Sequence, residues 1–209
     1  MTARALAGVL RARMHAQRRI ILCACAAAFV VGFIQPRGAA GPVFFGSLLG
    51  IALALSQGPG RYPHLDRCEQ SAPLFGRELA RAKALIPCIA AGVAVLVYAC
   101  AQLLRASPDV STTLPIALGA VVASTLTAMS ATVREGVPRA LYVLLAAATS
   151  FAAYALAVWG HSVPGALALC AIVSFLALRQ YGEALARYDP IYSIELPALS
   201  RSAFEPGPR

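Results

Sequence analysis

The chain has 209 residues, of which 59% are hydrophobic and only 13% are charged. A soluble domain carries about 25% charged residues, so this composition excludes an ordinary soluble fold and indicates an all-α protein that crosses a membrane several times. The net charge of +9 comes almost entirely from Arg. Because no basic stripe is present, we interpret these residues as orientation signals beside membrane lipids and expect no nucleic-acid partner. The Arg- and Ala-rich usage is typical of a GC-rich bacterial genome, which predicts the bacterial cytoplasmic (inner) membrane.

Residues 1–19 are predicted to form an amphipathic helix at the cytoplasmic membrane interface. Apolar and basic side chains separate at helical spacing onto two faces: Leu6, Val9, Leu10 and Met14 against Arg4, Arg11, His15 and Arg18. The alternative is a signal peptide whose apolar region begins at Ile20. No small-x-small cleavage site directly follows that apolar run, so we favour a retained helix.

The region 20–178 contains six apolar runs, each predicted to be a transmembrane helix. They are Ile20–Gln35, Pro42–Gln57, Ala84–Leu104, Val110–Val133, Leu141–Trp159 and Val163–Leu178. The first two are shorter than the roughly 20 residues that cross a hydrocarbon core of about 30 Å. They need flanking residues to complete the crossing, or they sit shallow.

The positions of the basic residues predict the orientation of these six spans. Sixteen of the 18 Lys and Arg residues lie in the amino-terminal segment, the loop 58–83, the loop between the fourth and fifth spans, and the region 179–209. The remaining loops hold only Arg37 and Arg105. Basic residues concentrate on the cytoplasmic side of bacterial membrane proteins. Both termini and the loop 58–83 are therefore predicted to be cytoplasmic.

The predicted spans contain no Asp, Glu, Lys, Arg or His, so proton-coupled transport is not expected. Small hydroxyls and amides remain, and among these Gln102, Ser124 and Thr127 are candidates for the path of a lipid-like or amphiphilic substrate. The alternative, which we favour, is that such residues hold the helices together, as small polar residues commonly do in membranes.

The sequence carries no P-loop, no Gly-x-Ser-x-Gly, no His-Glu-x-x-His and no dinucleotide-binding glycine pattern. Cys23 and Cys25 would point to nearly opposite faces of a helix, and His64 with Cys68 would supply only two ligands. We therefore expect no catalytic residues, no metal site and no cofactor.

The loop 58–83 is the longest interior run that is too polar for a membrane. Pro73 and Gly76 interrupt a segment that becomes helical from Phe75 onward. This pattern predicts a short helix across the cytoplasmic mouth, a turn, and then the basic foot of the third span. The alternative is a solvated basic loop that only fixes the topology.

The stretch EQSAPLFGRELARAK, from Glu69 to Lys83, resembles the corresponding loop in the membrane subunit of ATP-binding-cassette (ABC) exporters of the second bacterial type. The six-span topology with both ends inside is also similar to that family. The resemblance implies a coupling helix that docks on a separate cytoplasmic ATPase subunit. The residues it assigns to that contact are Glu69, Pro73, Leu74, Phe75, Gly76, Arg77, Glu78 and Arg81. One departure is the short connection Gly160–Pro164, where the family commonly has a re-entrant extracellular hairpin before the sixth span.

The region 179–209 is predicted to extend the sixth helix into the cytoplasm and to end in a tail. The tail carries an apolar strip with Tyr192, Ile194 and Leu196, which suits either a partner contact or a disordered end. The predicted function is the permease subunit of an ABC-type exporter, with ATP hydrolysed by the partner subunit. The chain would act as a dimer or with other membrane subunits. The alternative is a non-transporting membrane subunit that scaffolds or assembles a larger complex.

Overall fold

A computed structural model describes residues 2–35, 40–56, 76–105, 110–133 and 138–186. These residues form helices and turns, and within the described ranges there is no strand. The helices are α1 (Thr2–Ile34), α2 (Ala40–Leu55), α3 (Gly76–Leu104), α4 (Val110–Val133), α5 (Arg139–Val158) and α6 (Val163–Ala186). All except α2 are long and apolar enough to cross a membrane. The prediction of an all-α, multi-pass membrane protein is therefore confirmed.

The first helix is longer than the predicted span. α1 contains 33 residues and continues through residues 19 and 20, where the sequence analysis separated an interfacial helix from the first span. A helix of this length rises about 50 Å, well beyond a hydrocarbon core of about 30 Å. Its apolar window is Gln17–Ile34, and the exposed Arg18 and Arg19 lie at the start of this window. An interfacial position for the preceding residues stays a prediction.

The most enclosed helix is α4, which packs against α2, α3, α5 and α6. Its apolar window Thr113–Thr132 is 72% buried, whereas that of α6, Val163–Ala184, is only 17% buried. The main cluster of buried apolar residues is centred on α4 and includes Ile116, Ala120 and Val121. The peripheral helices expose large apolar side chains on their outer faces, as lipid contact requires. α4 is therefore the central helix of the bundle, and α1 packs mainly against α3.

A row of small residues brings α2 close to α4. Gly46, Gly50 and Ala54 recur at a spacing of four on one buried face of α2. A Cβ atom at Gly50 would overlap the Thr125 hydroxyl of α4 and lie 3.2 Å from the carbonyl oxygen of Val121. Small residues at this spacing allow two backbones to approach closely in membranes, where packing and not hydrophobicity joins the helices. The glycines therefore explain how the shortest helix is held in the bundle.

Successive helices run antiparallel and define two ends of the bundle. The end of α3 meets the end of α1, where Arg105 donates a hydrogen bond to the carbonyl of Phe33 at 2.6 Å. The start of α3 meets the ends of α2, α4 and α6 in a second cluster of buried residues, which includes Ala84, Met129 and Tyr181. Among the described residues, this second end carries every Lys and Arg except Arg105. We call it the basic end.

The turn between α5 and α6 is closed by local hydrogen bonds. His161 has a φ of 47°, in the left-handed region, and Gly160 stands where a Cβ atom would lie 2.8 Å from the carbonyl oxygen of Leu156. The next residue, Ser162, accepts a hydrogen bond at its Oγ from the backbone N–H of Gly165 at 3.2 Å. Ser162 is therefore the N-cap of α6.

Replacing this cap tests the assignment. We expect Ser162→Ala to lower the free energy of unfolding by about 1 kcal/mol, because one N–H of the first turn of α6 loses its acceptor. Unfolding in mixed detergent and SDS micelles measures the change. Ser162→Asn, which also caps helices, should stay close to the wild type. Equal losses in both variants would contradict the capping role.

Candidate functional site

Part of the predicted coupling loop lies outside the described residues, namely Glu69, Pro73, Leu74 and Phe75. Gly76, Arg77 and Glu78 form the first turn of α3, and Arg81 is exposed one turn further along. The apolar window of this helix begins only at Arg81. α3 therefore carries the polar residues of the loop and the apolar span in one continuous helix.

The position of α3 makes this continuity mechanically relevant. Beyond its first turns, α3 packs against α1, α2, α4 and α6. Its interior residues Ala91, Val95 and Tyr98 are fully buried in these contacts. A protein that binds to the first turn of α3 therefore acts on a helix that touches most of the bundle.

Lys83 is the main surprise at the basic end. The sequence analysis treated it as one of the orientation residues of the loop, but its side chain is only 3% exposed. It makes a polar or electrostatic interaction within the protein. The statement that the spans hold no ionisable side chain depended on starting the third span at Ala84, and the apolar window in fact begins at Arg81 and includes Lys83. That statement is therefore corrected.

The sequence did contain a signal for this burial. On a helix that begins at Gly76, residues 83, 87, 90 and 94 fall on one face at a spacing of three or four. Pro87, Ala90 and Ala94 are all buried, so the same face carries Lys83 inward. An ionisable residue inside a membrane protein usually has a functional or structural partner.

The hydroxyl groups of Ser124 and Thr127 are paired within α4, whereas that of Ser130 also reaches the carbonyl of Ala177 on α6 at 3.1 Å. Ser124 and Thr127, the candidate path residues, are buried and donate to the carbonyls of Ala120 and Ala123, each at 2.7 Å. Hydroxyls that bond back to the preceding turn add no polar surface to a helix contact. Hydroxyls paired in this way are consistent with a role in helix packing. A role of these residues in a substrate path stays a prediction.

A hydroxyl pair also links two helices inside the bundle. Ser150 of α5 donates to Ser47 of α2 at 2.7 Å, and Ser47 donates to the carbonyl of Val43 at 2.7 Å. Both residues are buried. The pair joins α2 to α5 and leaves neither hydroxyl without a partner.

Gln102, the third candidate path residue, lies at the end opposite the basic end and joins α3 to α1. Its Nε2 donates to the carbonyl of Gly32 at 2.7 Å, and its side chain is 1% exposed. Nearby, Arg105 donates from Nη1 to the carbonyls of Phe33 at 2.6 Å and Gln35 at 2.8 Å. Together Gln102 and Arg105 supply donors to the last carbonyls of α1, and we call this pair the α1 cap.

Sequence reasoning missed the α1 cap, although one signal was present. Residue 36 is Pro, which has no backbone N–H, so the carbonyl of Gly32 lacks the donor that an ordinary helix supplies four residues later. Gln102 provides that donor from a different helix. The remaining polar atom, Gln102 Oε1, is buried and has no hydrogen-bond partner among the described residues.

Comparisons of the chain with protein-family models, with curated proteins and with solved structures each gave no match. Within the part of the chain that the structure describes, no group of three or more His, Cys, Asp or Glu side chains is placed to hold a metal ion. The candidate site is the first turns of α3 at the basic end, where the polar residues of the loop join the apolar span.

Proposed function

We propose that this chain is the permease subunit of an ABC-type exporter. The observation that supports this function best is the continuity of α3, which begins at Gly76 in the loop and runs through the bundle to Leu104. A partner that pulled or rotated the first turn, where Arg77 and Glu78 lie, would move a helix that contacts α1, α2, α4 and α6. This is the mechanical requirement for coupling ATP hydrolysis on a separate subunit to a change in the membrane.

The proposal places the basic end in the cytoplasm of a bacterial cell, with six transmembrane helices and both termini on that side. Arg11, Arg81, Arg139 and Arg179 belong to this end, and Arg105 belongs to the other. Such an asymmetry supports the positive-inside orientation. An ATPase subunit would then meet the first turn of α3 from the cytoplasm.

The packing of α4 bears on where a substrate would move. The hydroxyls of Ser124 and Thr127 are already paired with carbonyls of their own helix. A lipid-like or amphiphilic substrate is more simply accommodated where two copies of the chain meet than through the middle of one bundle. The proposed exporter therefore acts as a dimer.

A second candidate function is a non-transporting subunit that scaffolds a larger membrane complex. The observation that favours it is the pairing of polar groups within the interior, with the Ser47–Ser150 pair as an example. A bundle whose internal hydroxyls are paired in this way offers surfaces for assembly and needs no path of its own.

The two functions differ in the partner that they require. Detergent-solubilised native membranes containing the tagged chain should yield an ATPase subunit with the wild type. The amount should fall at least tenfold with Arg77→Glu, because a reversed charge in the first turn of α3 opposes docking. Arg139→Glu is the matched control, since it changes the same charge at the same end but on α5. Recovery of integral membrane subunits without an ATPase would overturn the exporter and support the scaffold.

A further inference from the structure

A cavity of about 450 Å³ opens at the basic end between α3 and α6. Its lining includes Phe175, Leu178, Arg179 and Gly182 from α6 and Arg81 from α3. The four residues of α6 are spaced as one helical face, and residue 182, as Gly, contributes no side chain. The cavity is therefore a groove along α6 with an arginine on each wall.

The charges in this groove favour an anionic ligand. Arg179 donates from Nε to Glu183 at 2.9 Å, which orients its guanidinium. Among the described residues no acceptor binds its two terminal nitrogens. Arg81 is exposed, and no described carboxylate pairs with it. Two guanidinium groups with a single paired carboxylate leave an excess of positive charge in the groove. Each guanidinium is a planar fork of donors, which suits a phosphate.

The depth of the groove and its apolar wall identify the source of that phosphate. Arg81 begins the apolar window of α3, and Arg179 lies five residues before the end of that of α6, so both arginines are close to the polar ends of their apolar windows. Phe175 lies about 6 Å further into the apolar window of α6 than Arg179. Its side chain is 66% exposed, as contact with acyl chains would require. A soluble anion would use the arginines but not this apolar wall.

We propose that the groove between α3 and α6 is a binding site for an anionic phospholipid. Arg81 and Arg179 hold the phosphodiester, and one acyl chain lies along Phe175 and Leu178. Basic pockets between transmembrane helices at a cytoplasmic surface bind anionic headgroups in the same way. Arg81 also belongs to the predicted coupling contact, whereas Arg179 lies on α6 outside that loop, so Arg179→Gln separates lipid binding from the proposed exporter function.

Native mass spectrometry of the full-length protein in detergent tests the site, with phosphatidylglycerol and phosphatidylcholine titrated separately. The wild type should bind phosphatidylglycerol more tightly than phosphatidylcholine. Arg81→Gln and Arg179→Gln should each weaken binding of phosphatidylglycerol by about fivefold, the usual effect of one basic residue near an anionic lipid. Both side chains are exposed, so the variants should keep the helix content of the wild type by circular dichroism.

Arg19→Gln is the matched control, because Arg19 is exposed at the same end but lies on α1, outside the groove. It should change binding by less than about twofold, because Arg19 does not line the groove and exposed charges interact weakly with a ligand that they do not contact. Equal losses in all three variants would show general attraction to the basic end and overturn the site, as would no loss in any of them. Competition by inorganic phosphate at the concentration of the lipid would overturn the lipid as the ligand and assign the arginines to a free anion.

Discussion

Gly50→Leu is expected to abolish the folded bundle, and Gly50→Ala to lower its free energy of unfolding by about 3 kcal/mol, at the upper end of the cost of overpacking. The reason is the close approach of α2 to α4, where a Cβ atom at Gly50 overlaps the Thr125 hydroxyl and nears the carbonyl of Val121. The backbone of α4 cannot move aside, because it is enclosed by four helices. Size-exclusion chromatography in detergent shows whether Gly50→Leu still folds. Unfolding in SDS micelles measures the loss of stability in Gly50→Ala.

Gly92→Ala is the control for this prediction. A Cβ atom at Gly92 would meet only the end of the Leu118 side chain, at 3.9 Å. Alanine should therefore be neutral or slightly stabilising at this position, since it forms helices about 1 kcal/mol more readily than glycine. If the two alanine variants unfold alike, the close contact between α2 and α4 is wrong.

Gln102→Leu is expected to lower the free energy of unfolding by about 2 kcal/mol, the cost of a buried carbonyl that loses the donor found for it among the described residues. The carbonyl is that of Gly32, which Pro36 cannot serve and Gln102 Nε2 reaches at 2.7 Å. Loss of this bond weakens the attachment of the end of α1 to α3, which Arg105 then maintains alone within the α1 cap. Unfolding of the purified protein in mixed micelles measures the change.

Thr127→Val is the matched control, since it also removes a buried polar group of nearly constant shape. The Thr127 hydroxyl donates to the carbonyl of Ala123 in the preceding turn of its own helix, α4. Its removal should cost no more than about 0.6 kcal/mol, the average for polar contacts inside membrane bundles. A larger cost for Thr127→Val than for Gln102→Leu would contradict the α1 cap.

The fold was largely predictable because hydropathy is a local property of the sequence. The fourth span, Val110–Val133, coincides with α4. The third apolar run was predicted over Ala84–Leu104 with a basic helical foot before it, and α3 does begin earlier, at Gly76, because charged residues end an apolar run but do not end a helix. No breaker stands between Gly76 and Ala84, so α3 continues through Arg81 and Lys83.

The features that escaped prediction depend on contacts between distant parts of the chain. Gln102 and Gly32 are separated by 70 residues, and no local pattern reports that they meet. Lys83 looked like a loop charge because its burial depends on the helices around it. By contrast, Gly46, Gly50 and Ala54 could have been read as a packing face from their spacing alone.

The shortness of α2 has a consequence for the surrounding bilayer. Its 16 residues rise about 24 Å, several ångströms less than a typical hydrocarbon thickness. The outward-facing Leu48 is 64% exposed, so lipid tails meet this short helix directly. Tilting cannot relieve the mismatch, because tilt shortens the reach of a helix and Gly50 holds α2 against α4. If α2 crosses the membrane as in the proposed six-span arrangement, the membrane would thin beside it, at a cost of fractions of a kcal/mol per Å, and the protein would prefer regions rich in short-chain lipids.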